Sequence, residues 1–238
     1  MKYLLLTVVG ILALVFIGTS TPSLSVAAMQ GDSQGTLQGS WTISPLPVSD
    51  QVEFTLQMNS EHRHMNSSSA APLSQFRGLT AAQLQNSPAA RFELVRDAGT
   101  FQLEGYLKNG SGGGTWTFAP NRKFTDDMRS LGYNDLSPEM VFSMAVHDVS
   151  IAFVHDLNSA SIGHVSADHL VAMRIHGVSI DFIHRMQGLG YSKLSADKLI
   201  AMRIHGVTPE FIRKAQSKTS NNVSIDQLVS LKIHGVLD

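Results

Sequence analysis

The sequence predicts an α+β fold: an N-terminal antiparallel β-meander or small sandwich, followed by a short α-solenoid of four 29-residue helical hairpins. Three observations predict it. An apolar segment opens the chain, residues 38–120 alternate apolar and polar side chains between turn residues, and residues 121–238 repeat with a fixed period. We therefore expect a signal peptide over 1–28, a β-rich domain over 35–120 and a helical repeat domain over 121–238.

The N-terminal segment is typical of an export signal. Lys2 is the only charge ahead of the apolar run 3–17, and small residues around Ala28 suit cleavage there. The run is shorter than the ~20 residues that a spanning helix needs. We expect a periplasmic or extracellular protein with no stable membrane span after cleavage, and an uncleaved anchor is the alternative. The chain has no cysteine, so its core alone must hold the fold.

Residues 38–120 carry the strand pattern. In 51–58 every second residue is apolar, which lets one sheet face be buried and the other be wetted. Asp97-Ala98-Gly99 predicts a tight turn between two later strands, and Trp116 and Phe118 share one face of a closing strand. We expect five to seven strands. The polar, serine-rich stretch 59–72 is interpreted as a loop, and Gly112–Gly114 as part of a flexible hairpin connection rather than a phosphate cradle.

The helical part is defined by its period. Ile-His-Gly-Val occurs at 175–178, 204–207 and 233–236, a spacing of 29 each time, and Val-His-Asp-Val at 146–149 completes the series. Each unit predicts two helices. In the third, Ser179 begins the first helix, Ser195 begins the second, and Gly206 with Val207 ends the second in a left-handed cap. One such hairpin buries its apolar side only against its neighbours.

Two sets of recurring polar residues are candidate sites. His147, His176, His205 and His234 recur once per unit, too far apart to share one metal ion, and we interpret them as structural. His62-Arg-His64 offers a weak metal site at best, so no metal site is predicted.

The second set consists of Arg174, Arg203 and Lys232, which fall inside the apolar arc of their helices. They are the candidate binding residues: a row of cations ready to meet an acidic strand or tail. The alternative is that each long side chain packs by its stem and reaches water with its head.

A family resemblance rests on the segment Leu-Ile-Ala-Met-Arg-Ile-His-Gly-Val-Thr-Pro-Glu-Phe-Ile at 199–212. It resembles a repeat of bacterial exported and membrane proteins, found after the protease domain in some metallopeptidases of the β-lactam-sensor, antirepressor type. The resemblance covers about 121–238, and 99–105 resembles the β segment that precedes such repeats. The His-Glu-x-x-His zinc helix of the peptidase is absent from this chain. The resemblance therefore implies an extracytoplasmic accessory module without proteolytic activity.

The expected function is non-enzymatic: an exported module that binds a protein or peptide through its helical repeats. No nucleophile elbow, phosphate loop, zinc helix or cysteine nucleophile is present, and no cofactor is predicted. Nucleic acid is not an expected partner, since the chain has a net charge of −1 and the repeat region carries equal numbers of acidic and basic residues. The alternative is an exported ligand-binding protein or enzyme that uses the β-rich domain.

Overall fold

A computed structural model describes residues 37–47, 50–60, 63–218 and 223–236. They belong to one compact unit, Gly35–Asp238. The signal peptide expected over 1–28 lies outside the described residues, so that expectation stays a prediction. Seven strands come first along the described chain and a series of helices follows, which confirms a mixed fold with an antiparallel β part ahead of a helical part.

The β part is a single antiparallel sheet in the strand order β3-β2-β1-β7-β6-β5-β4. The strands are β1 (Gln38–Pro45), β2 (Gln51–Ser60), β3 (Arg63–Pro72), β4 (Phe76–Arg77), β5 (Asn86–Arg96), β6 (Gly99–Lys108) and β7 (Ser111–Pro120). A short helix, α1 (Ala81–Gln85), precedes β5.

The sheet is strongly curled. Phe54 on β2 and Phe76 on β4 lie five strand positions apart, which in a flat sheet would separate them by roughly 24 Å at ~4.8 Å per strand. Their ring centroids are 4.9 Å apart. Trp41 on β1 and Phe92 on β5 likewise meet at 5.0 Å. The concave face therefore closes on itself and buries an aromatic core.

Two sequence predictions in this region are wrong. The stretch 59–72 is not a loop, because β3 runs from Arg63 to Pro72 and pairs with β2 along its length. One of its serines bonds across the sheet surface: the Ser68 hydroxyl lies 3.1 Å from the Thr55 hydroxyl and 3.1 Å from a Glu53 carboxylate oxygen.

Gly112–Gly114 is likewise strand rather than hairpin loop. It lies in β7, and the turn before it is Asn109–Gly110. A Cβ on Gly114 would sit 1.9 Å from the Glu104 carbonyl oxygen, so the curl brings backbones together where a side chain cannot fit. Trp41 is the β1 partner of Gly114, and its indole N–H donates to the carbonyls of Glu104 and Thr115.

The helices of the repeat part start at intervals of 29 residues in two series. The first series is α2 (Arg122–Ser130), α4 (Ile151–Ser159), α6 (Ile180–Gly188) and α8 (Pro209–Lys218); the second is α3 (Pro138–Val146), α5 (Ala167–Ile175), α7 (Ala196–Ile204) and α9 (Ile225–Ile233). Helices α3, α5, α7 and α9 contact one another in succession, as do α2, α4 and α6.

The predicted helix ends are confirmed in the third unit. The Ser195 hydroxyl accepts a hydrogen bond from the Lys198 amide, and Gly206 has a φ of +67°. The Val207 amide then donates to the Met202 carbonyl at 2.8 Å, and its side chain is buried.

Helix α3 joins the repeat part to the sheet. Its Phe142 is buried against Trp116, Phe118 and Phe101, with ring centroids 5.6, 5.2 and 5.9 Å away. Asp97 in the β5–β6 turn accepts the Ile151 amide at 2.9 Å and so caps α4. The first unit is thus held on the sheet by an apolar contact and a polar one.

Alternate units differ because of one tyrosine. The Tyr133 hydroxyl in unit one donates to the Val165 carbonyl in unit two, and the Tyr191 hydroxyl in unit three donates to the Val223 carbonyl in unit four, both at 2.7 Å. Burial raises the pKa of both phenols. Unit two has Ile162 at this position, so it forms no such bond.

Candidate functional site

The most regular exposed feature of the repeat part is a row of isoleucines. Ile175, Ile204 and Ile233 are the last residues of α5, α7 and α9, and their exposed fractions are 52%, 53% and 57%. Each directly precedes an exposed histidine and a glycine. Three large apolar side chains left in solvent at the same place in successive units form a pattern, whereas single exposed apolar residues are common.

A cation precedes each of these isoleucines. We call the row the repeat ridge and define it as the isoleucines and cations together: Arg174, Ile175, Arg203, Ile204, Lys232 and Ile233. The cations stack on the phenylalanine that recurs in the first helix of each unit. Arg174 lies 5.4 Å from the centroid of Phe153, Arg203 lies 5.2 Å from that of Phe182, and Lys232 lies 4.9 Å from that of Phe211.

The arginines also connect each unit to the one before it. The Arg174 Nε donates to the His147 carbonyl and the Arg203 Nε to the His176 carbonyl, each at 3.2 Å. These carbonyls belong to helix C-caps, where the helix itself provides no donor. In the structure each of these arginines therefore stacks on a ring and donates to a carbonyl, two contacts that the sequence analysis did not include. A binding role for Arg174, Arg203 and Lys232 remains a prediction.

The first unit lacks the ridge. Val146 replaces the isoleucine and is half-buried, and Ala145 replaces the cation and is fully buried. Asp148 replaces the glycine and binds both Arg96, at 3.2 Å, and Arg174, at 3.0 Å. These substitutions fit a unit whose end is covered by the sheet, and they leave the ridge to units two to four.

The recurring histidines occupy the helix C-caps. His147 is half-buried, and loss of solvation lowers its pKa from the ordinary value. The later three are exposed. Among the described residues no three His, Asp or Glu side chains are placed to hold a metal ion. Of the His62–His64 pair, His62 lies outside the described residues and His64 is exposed on β3.

A partly buried arginine, Arg96, ends β5, and nothing in the sequence pattern distinguishes it from an exposed arginine. Burial lowers the pKa of Arg96, and the neighbouring Asp148 carboxylate offsets part of that effect. Within the described residues its Nε has no hydrogen-bond partner, and the adjacent cavity is lined by Ser67, Ser69 and Phe76. That cavity is about the size of one water molecule, too small for an organic substrate.

The outer face of the sheet carries a shallow depression across β4, β5 and β6. Its charged side chains already pair with each other: Arg77 with Glu93, and Arg91 with Glu104 at 3.4 Å. Both carboxylates of this depression therefore have an arginine partner.

Comparison of the chain with protein-family models, characterised proteins and solved structures finds no match. In the described part of the chain, no single helix is both long and apolar enough to cross a bilayer. Helices α3 and α4 reach that length and hydropathy together, with an 83° bend between them.

Proposed function

We propose that this chain is a non-enzymatic, exported protein-interaction module that binds a protein or peptide along the repeat ridge. The observation that carries the proposal is the recurrence of Ile175, Ile204 and Ile233, each more than half exposed, in three successive units. Core positions of the same helices, such as Leu199 and Met202, are fully buried. The exposed half of such an isoleucine contributes nothing to the core. Burying that half against a partner contributes roughly half of the ~1.5–3 kcal/mol of full burial, or about 1–1.5 kcal/mol.

The fold-level part of the proposal is that α2 to α9 form a short α-solenoid of four helical hairpins. The successive contacts within each helix series support it. Solenoids often present extended binding surfaces, and the argument for a surface here rests on the ridge residues themselves. Membership of the exported repeat family is also part of the proposal and rests on the motif at 199–212.

The test compares two exposed apolar positions. The whole chain, Ile204→Ser and Tyr106→Ser are used as baits for quantitative capture from an envelope extract. Tyr106 lies on β6 and is 61% exposed, so it samples the sheet surface that the alternative hypothesis would use. We expect a saturable partner whose affinity falls by up to roughly tenfold with Ile204→Ser and is unchanged with Tyr106→Ser.

The reverse pattern, with Tyr106 required and Ile204 dispensable, would contradict the proposal. It would favour a ligand-binding or enzymatic role for the β-rich part. Circular dichroism of both variants is the control, because each substitution replaces an exposed side chain and should leave the fold intact.

A further inference from the structure

The repeat ridge alternates apolar and cationic positions. A Cβ on Gly177, two residues after Ile175, would lie 3.0 Å from the Arg203 guanidinium, so this cation lies over the end of the preceding unit. The aliphatic part of Lys232 lies beside Gly206 in the equivalent position, one unit further along. Along the ridge the order is therefore Ile175, Arg203, Ile204, Lys232 and Ile233.

The charge of Arg203, at the centre of this ridge, is available to a ligand. Arg203 contacts a carbonyl and an aromatic ring, and it has no carboxylate partner among the described residues. Asp181 and Glu210 lie in the first turns of α6 and α8. They pair with Arg185 and Arg213 of their own helices. An occupant that alternates apolar side chains with carboxylates would complement the ridge.

The spacing selects the conformation of that occupant. Helices α5, α7 and α9 contact in succession, and packed helices lie ~8–10 Å apart, so the isoleucines recur at about that interval. A β-strand repeats its facing side chains every ~6.6 Å, which does not match. A polyproline II helix has three residues per turn and a ~3.1 Å rise, so every third side chain faces the same way at ~9.3 Å.

An α-helix repeats at seven residues over roughly 10.5 Å and so comes close in length. Its carbonyls are already bonded internally, however, whereas polyproline II carbonyls are free. The ridge presents donors for free carbonyls in the remaining N–H groups of Arg203 and in the exposed imidazoles of His176 and His205. Resting on the proposed function, we propose that the ridge binds a polyproline II segment with an apolar residue at every third position and carboxylates between.

The experiment titrates the whole chain into labelled peptides and follows fluorescence anisotropy. The probe is five repeats of Leu-Pro-Glu. The controls are a permutation of the same composition without the three-residue period, five repeats of Leu-Pro-Lys, and a helical peptide with Leu at every seventh position among Glu and Ala. We expect saturable binding of the Leu-Pro-Glu peptide, weakened roughly tenfold by Ile204→Ser and by added salt, and weaker binding of all controls.

Equal binding of the permuted peptide, tighter binding of the helical peptide, or no binding of Leu-Pro-Glu would overturn this inference. The proposed function fails separately. If the peptide does not bind but capture of the envelope partner still depends on Ile204, only the ligand class is wrong. If neither assay depends on Ile204, both proposals fail.

Discussion

Replacing Phe142 with alanine should weaken the packing of the repeat part against the sheet. The side chain is 5% exposed and lies among three aromatic rings that are fixed by strands β6 and β7. Buried Phe→Ala changes cost about 3–5 kcal/mol, and rings fixed by a sheet cannot collapse into the cavity. We therefore expect a loss of about 4 kcal/mol in the free energy of unfolding.

The assay is urea denaturation followed by tryptophan fluorescence and by helical circular dichroism. The chain has two tryptophans, Trp41 and Trp116, and both are buried in the sheet, so fluorescence reports on the sheet and on the contact of Trp116 with α3. The matched control is Ile200→Ala, the same position two units later, which is half-buried; we expect a loss of about 1–2 kcal/mol there. A loss below about 2 kcal/mol for Phe142→Ala, or equal losses in both variants, would refute the reasoning.

Three further outcomes are expected. Arg203→Met should lower the free energy of unfolding by about 1–2 kcal/mol in urea denaturation, because it removes the contact with Phe182 and the hydrogen bond to the His176 carbonyl. An unchanged free energy of unfolding would show that these two contacts do not stabilise the fold. The lowered pKa of His147 means that the unfolded chain binds protons more readily, so stability falls as pH drops through about 6.5. His147→Gln should reduce that loss and the control His205→Gln should not, as read from thermal melts at pH 7 and pH 5. Tyr191→Phe should cost about 0.5–1.5 kcal/mol by the same denaturation assay, because it removes a 2.7 Å bond to the next unit; no loss would mean that water replaces the bond at no cost.

The sequence predicted the features that depend on local pattern and missed those that depend on distant partners. Helix starts such as Ser195 and caps such as Gly206 follow from side chains within a few residues, and they are confirmed. The strand at 63–72 was missed because its support is the neighbouring β2 rather than an apolar alternation of its own. Gly112–Gly114 lies in a strand because the backbone of Glu104 approaches it closely, and glycines alone do not reveal that approach.

The exposure of the ridge isoleucines can be inferred from the sequence. On a helical projection at ~100° per residue, Ile204 lies about 170° from the midpoint between the buried Leu199 and Met202. Because Ile204 is apolar, it fits the helical pattern of 199–204 until its direction on that projection is considered. The stacking of Arg203 on Phe182 was not foreseeable, since the two residues meet only through the packing of two helices.

The tyrosine bonds have a consequence for how such an array can change its length. Tyr133 fastens the first unit to the second and Tyr191 the third to the fourth, while the second unit has Ile162 in that position. The helices therefore repeat with every unit, whereas the tyrosine bond between neighbouring units repeats with every second unit. Gain or loss of one unit inside the array breaks this alternation, whereas gain or loss of two adjacent units preserves it.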